Sequence, residues 1–169
     1  MIADTINKAN ATVVVAPYTV TYDGQAHTAT VTSITGVNGE TGATVGTVDV
    51  SHTTHTNAGT YSSDYWTFTG TANYNDIGNT TITDSIAKAN ATVVVTPYLN
   101  VPYDGNAHTA AVTSITGVNG ETGATVGTVD VSHTTHTNAG TYSADTWTFT
   151  GAANYNDIGN TTITDSIAK

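Results

Sequence analysis

Two histidine pairs pose the first chemical question in this 169-residue chain: His52-Thr53-Thr54-His55 and His133-Thr134-Thr135-His136. Imidazole is a common metal ligand, and on a helix an i, i+3 pair could share one ion. On a strand the two rings point to opposite faces and cannot easily close on one ion. His27, His52 and Asp64 could still meet if all three faced inward. The plainer reading is of hydrogen-bonded histidines in or beside a small core, so no metal or cofactor site is assigned. Asn73, Asn75, Asp76 and Asn79 gather oxygens of the kind Ca²⁺ takes, but with one acid among them turn chemistry is the simpler account. Asn10-Ala11-Thr12 and Asn79-Thr80-Thr81 fit a glycosylation sequon, a match that a Thr-rich chain produces by chance. No Ser sits in a nucleophile elbow and no phosphate-binding Gly loop opens a helix. No catalytic residue is assigned, and an enzyme is not expected.

The elements that must position these residues follow from composition. The chain is richest in Thr, has one Leu (Leu99), no Arg, no Cys and three Lys, and charged residues make up 9%. Such poverty in strong helix formers argues against helix. Thr, Val, Ile and Tyr suit a pleated, half-buried surface. Thirteen acids give a net charge of -10. Nucleic acid is therefore not an expected partner, because phosphate binding needs Lys and Arg to displace counterions. No apolar run approaches the length of a membrane span, so no membrane insertion is expected. No signal peptide is visible, and any export signal is expected to lie outside the sequence.

The strongest signal is a repeat. Residues 8–87 recur in 88–169 with an offset of 80, becoming 81 after Tyr98, where YTVTYDG is replaced by YLNVPYDG. The other differences are few, among them Ala16/Thr96, Gln25/Asn106, Thr30/Ala111, Ser63/Ala144, Tyr65/Thr146 and Thr71/Ala152. A period this long suits an independent small domain rather than a solenoid unit. Asp4-Thr5-Ile6-Asn7-Lys8 aligns with Asp84-Ser85-Ile86-Ala87-Lys88, so residues 1–7 read as the end of a preceding repeat's last strand, and Lys169 as the start of a following one. Neighbouring repeats of the same chain are the expected partners.

Within one repeat the pattern predicts strands over 11–15, 20–22, 27–34, 44–52, 60–69 and 79–86, separated by Asp23-Gly24, residues 36–42 and the Asn73–Gly78 turn. Six or seven short strands of this kind predict an all-β chain of two tandem immunoglobulin-like β-sandwich domains. Ser63 and Tyr65 differ between the copies and should face solvent, leaving Trp66 and Phe68 inside with Asp64 on their side. The same parity puts His27 inside with Ala29 and Val31, and His52 inside with Val48 and Val50. Asn57-Ala58-Gly59-Thr60-Tyr61 has the spacing of an immunoglobulin tyrosine corner, repeated at Tyr142. The expected core is Tyr61, Trp66 and Phe68 in one copy, and Tyr142, Trp147 and Phe149 in the other.

Tyr22-Asp23-Gly24, Ala26-His27-Thr28, the 55–61 segment, Trp66-Thr67-Phe68 and Asn73-Tyr74, in that order, resemble the bacterial YDG/MBG-type Ig-like repeats; the second copy matches from Tyr103. The resemblance covers essentially the whole chain. It implies a β-sandwich in a large secreted or surface protein, adhesin-like or autotransporter-like, where such repeats are taken as spacers. It implies no catalytic residues. The expected function is thus a stalk or spacer of an extracellular bacterial surface protein. The alternative is an adhesion module in which Tyr65, Tyr74 and loop Asn residues meet a glycan or protein. Collagen-adhesin B-type stalk domains join a first-strand Lys to a last-strand Asn through an isopeptide bond beside an acid. The similar inventory here is Lys8, Glu40 and Asn79, repeated as Lys88, Glu121 and Asn160. Against it, Glu40 reads as a loop residue and the Lys as solvated.

Overall fold

The computed structural model describes residues 3–169; of the expected strand remnant over 1–7, residues 1 and 2 lie outside the described set. The chain is all-β, without α-helix among the described residues, and forms two separate units. The first comprises the residues up to Thr21 with Gln25–Ala87; the second comprises Lys88–Lys169 with the short Tyr22–Gly24 turn.

In the first unit β1 (Thr12–Ala16) pairs antiparallel with β3 (Thr30–Thr35). A four-stranded sheet runs in the order β2 (Thr19–Thr21), β6 (Ile77–Ala87), β5 (Gly59–Gly70), β4 (Gly46–Asp49), with β2 parallel to β6 and the other pairs antiparallel. The two sheets face one another across Val45, Trp66, Phe68 and Tyr74, with Val13 and Val15 from β1, Ile34 from β3, Val48 from β4, and Ile77 and Ile82 from β6 packed against them. A two-sheet sandwich closes because each sheet has one apolar face to bury.

The second unit repeats the plan. β7 (Thr92–Thr96) pairs with β9 (Ala111–Thr116), and the larger sheet runs β10 (Gly127–Asp130), β11 (Gly140–Gly151), β12 (Ile158–Ala168), β8 (Val101–Pro102). Its buried centre is Ala89, Val126, Trp147, Phe149 and Tyr155.

β5 alternates as its sequence predicts: Asp64, Trp66 and Phe68 are buried and Ser63 is exposed. Elsewhere parity fails for local reasons. The strand expected over 44–52 shrinks to β4 because 3₁₀ turns occupy Gly42–Thr44 and Ser51–Thr53. The second turn rotates the chain so that Thr53 is buried and His52, expected inside, is exposed. The Thr53 hydroxyl then bridges backbone, donating to the Val50 carbonyl at 2.8 Å and accepting the Ala29 N–H at 2.9 Å. In β3 a register shift opposite Val14 and Val15 puts both Val31, opposite Val15, and Ile34, opposite Val13, on the inward side; Ala29 is buried as expected and Ile34 packs against the buried centre. His27 lies before β3, in a two-residue bridge to His55 with backbone bonds of 2.9 and 3.0 Å.

Candidate functional site

The chemistry-bearing side chains gather where β5 begins. Tyr61 on β5 stands directly opposite Asp84 on β6, so both face one side of the sheet. Three residues on, Asp64 would point the other way in a regular strand. The register shifts by one residue between Tyr61 and Asp64, and that bulge returns Asp64 to the Tyr61 side. His55, held by its bridge to His27, completes the group.

His55 Nε2 lies 3.0 and 2.9 Å from the two carboxylate oxygens of Asp64. A carboxylate only accepts, so Nε2 carries the hydrogen. The imidazole lies flat on the Tyr61 ring, with centroids 3.4 Å apart and planes 3° apart. The Tyr61 hydroxyl donates to the Asn57 carbonyl at 2.6 Å, closing the tyrosine corner. Asp84 is fully buried. Its Oδ1 accepts the Tyr18 N–H at 2.9 Å, while no donor faces Oδ2. Burial first, then the hydrogen bond and charge of Asp64, raise the Asp84 carboxyl above the usual range. Two carboxylates offer only acceptors, so their contact is a hydrogen bond only when one of them holds a proton, and burial favours Asp84 as the holder. Tyr18 donates its hydroxyl to the Thr53 carbonyl at 3.1 Å. Burial, then the charges of Asp84 and Asp64, push that phenol up to about 12.

The second unit builds the same group. His136 lies 2.9 Å from both oxygens of Asp145 and stacks on Tyr142 at 3.5 Å, and Tyr142 donates to the Asn138 carbonyl at 2.6 Å. Asp165 is buried, accepts the Tyr98 N–H at 2.9 Å, and is raised by burial and then by Asp145.

As a set of acids, bases and rings this is a chain of internal hydrogen bonds that pins the start of β5 to β6 and to the segment before β2. Tyr61→Phe keeps the stack and removes one bond; the expected loss is about 1 kcal/mol of unfolding free energy, read from denaturant curves. A loss near zero would make the corner a bystander.

Of the residues singled out by sequence, the core aromatics lie where expected and most of the candidate ligands do not. Trp66, Phe68, Trp147 and Phe149 are in the buried centres; Tyr61 and Tyr142 are half-buried beside them, in the stack. His27, His52 and Asp64 do not converge: Asp64 takes His55, and His52 stacks on Tyr65 at 4.3 Å. Among the described residues no group of three or more His, Cys, Asp or Glu is placed to hold a metal ion. Asp76 accepts the Gly70 N–H at 2.9 Å, and Asn75 donates to Asn10 at 2.8 Å, both as turn fasteners. Lys8 and Glu40 line one cleft with Asn73, whereas exposed Asn79 on β6 lies outside it. In the second unit Lys88 and Asn160 are exposed, and Glu121 Oε2 accepts the Asn119 N–H at 2.9 Å.

Tyr74, read from sequence as a turn residue open to a ligand, is 3% exposed and belongs to the buried centre. Its place follows from a bridge with Ala9, whose N–H donates to the Asn73 carbonyl and whose carbonyl accepts the Asn75 N–H, both at 2.9 Å. Neither a known protein family nor a curated protein matches the chain.

Proposed function

We propose that the chain is a stalk or spacer segment of an extracellular bacterial surface protein, each unit adding length as a separately closed sandwich. The observation that carries this reading is how the polar chemistry is used. In each unit the His–Asp pair, the buried carboxyl and the corner tyrosine are engaged with one another and with backbone. The turn acids Asp49 and Glu40 accept backbone N–H groups at 2.8 Å. These groups serve the fold, as a spacer under tension requires. The resemblance to YDG/MBG-type repeats supports the same role and the extracellular setting. No helix among the described residues is long and apolar enough to cross a membrane.

A spacer of this kind unfolds under force one unit at a time. Single-molecule pulling of the whole chain should give two events, each releasing about 26–29 nm of chain for an 80-residue unit. A single event, or tight glycan-array binding that a one-unit substitution abolishes, would favour the adhesion-module reading instead.

A further inference from the structure

The loop over 36–40 in the first unit recurs over 117–121 in the second. Each loop holds one Asn-Gly step, Asn38-Gly39 and Asn119-Gly120, and the chain has no other. Both loops are closed at the base, where the Gly36 N–H donates to the Glu40 carbonyl and the Gly117 N–H to the Glu121 carbonyl, each at 2.8 Å. Asn38 and Asn119 give their backbone N–H groups to the Glu40 and Glu121 carboxylates, at 2.8 and 2.9 Å. At the tip the bonding stops. Among the described residues the Gly39 and Gly120 N–H groups meet no acceptor, and the Asn38 carboxamide makes no hydrogen bond. Asn38, Gly39, Asn119 and Gly120 are all exposed, and a Cβ on either Gly would meet nothing within 4 Å.

An asparagine carboxamide carries an electrophilic carbon within ring-closing reach of the next residue's backbone nitrogen. Two things ordinarily hold that nitrogen off: a side chain on the following residue, and a hydrogen bond that keeps its proton. Glycine removes the first, and these loop tips lack the second. We propose that Asn38 and Asn119 are modification sites that deamidate in the folded chain, with water as the co-reactant. Hydroxide takes the Gly39 N–H proton, and the nitrogen bonds to Asn38 Cγ. The Cγ–Nδ2 bond breaks, and the amide nitrogen leaves as ammonia after taking up a proton from solvent. Water then opens the cyclic imide at one carbonyl to give aspartate or at the other to give isoaspartate. Nothing is oxidised or reduced. Each conversion consumes one water, releases one ammonia and adds one negative charge to a chain already at -10. The isoaspartyl form also adds a methylene to the main chain of a loop that anchors buried Tyr74, through the Val37 N–H to its Oη at 3.2 Å. The inference does not depend on the spacer reading.

Asn79 and Asn160 serve as internal controls. Both are exposed, but they lie in β6 and β12 and are followed by Thr, whose branched side chain crowds the approach. The full chain, kept folded in mildly alkaline buffer at physiological temperature, should release two molecules of ammonia. Peptide mapping by mass spectrometry should place aspartate and isoaspartate at positions 38 and 119, with Asn79 and Asn160 still amides. The rate should rise with pH, because the attacking nitrogen must first lose its proton. Asn38→Gln with Asn119→Gln should abolish the release, since the longer side chain would have to close a larger ring. The mapping of the wild type stands whether or not that variant folds. A parallel incubation in denaturant separates fold from sequence: folded and unfolded chains should convert at similar rates. Intact amides at 38 and 119, conversion confined to the unfolded chain, or conversion at Asn79 as fast as at Asn38 would each overturn the proposal.

Discussion

Phe68→Ala should cost the first unit about 3–5 kcal/mol, the range for truncating a buried aromatic. Phe68 is 1% exposed, on a β5 whose inward row ends with it. Nothing nearby can collapse into the space it leaves. On one side stands Gly46 at the start of β4, where a Cβ would collide with the Phe68 ring and the Thr69 carbonyl. On the other side are β-branched residues from β1 and β3, anchored in their own strand pair. An 80-residue domain has on the order of 4–12 kcal/mol in all. The substitution therefore removes a large part of the first unit's stability and leaves the second intact. Denaturant unfolding, a single transition or two overlapping ones in the wild type, should split into two well-separated steps. Phe149→Ala should produce the mirror result, since Phe149 is 1% exposed and Gly127 backs it in the same way. A loss below about 1 kcal/mol would mean that Phe68 lies outside the true core.

That core was half legible in the sequence, and the division is physical. Trp66 and Phe68 could be read because β5 is long, regular over that stretch and marked by large aromatics at period two. Val45 and Tyr74 could not. Val45 sits at the C-terminal end of a 3₁₀ turn, and Tyr74 is buried because the segment around Ala9 bridges it from sixty-five residues away. Single-chain periodicity carries no signal for either event. The candidate site divides the same way. The tyrosine corner was visible as Asn-Ala-Gly-Thr-Tyr, a local motif whose bond spans four residues. The His55–Asp64–Asp84 chain was hidden behind two breaks in parity. The turn at Ser51–Thr53 turned His52 outward and left His55 to do the pairing, and the bulge after Tyr61 put Asp64 beside Asp84. The one available hint was that Asp64 shares a side with Trp66: an acid on a core face must find a donor, and His55 is the nearest histidine in sequence.

The pH dependence of stability should bear the mark of Asp84 and Asp165. Each is raised above the ordinary aspartate value by burial and by a neighbouring carboxylate. In the pH interval between the unfolded and folded values, the folded chain holds a proton that the unfolded chain has released. Stability then falls as pH rises, by about 1.4 kcal/mol per pH unit for each such group. It is fully present below the unfolded value and gone once pH passes the folded one. The groups facing Asp84 are Asp64 and His55 on one side and the Tyr18 backbone on the other, with Tyr61 opposite it on β5. The turn acids act in the opposite sense. Backbone hydrogen bonds hold Glu40, Asp49, Asp104 and Asp130 below their ordinary values, so their contribution is lost as pH falls through those lowered values. The two sets together place the stability maximum near the ordinary carboxylate range, about pH 4, and not at neutrality. Asp84→Asn with Asp165→Asn should test this directly. An amide keeps an acceptor for the Tyr18 and Tyr98 N–H groups and offers Asp64 and Asp145 a donor at every pH. The variant should match the wild type near the ordinary aspartate value, gain on it as pH rises, and hold a constant advantage once pH has passed the folded value, with the difference between the two melting curves isolating the two carboxyls. Parallel curves from pH 4 to 8 would show that Asp84 is ionised in the folded chain, and the hydrogen bond assigned to its proton would then not exist.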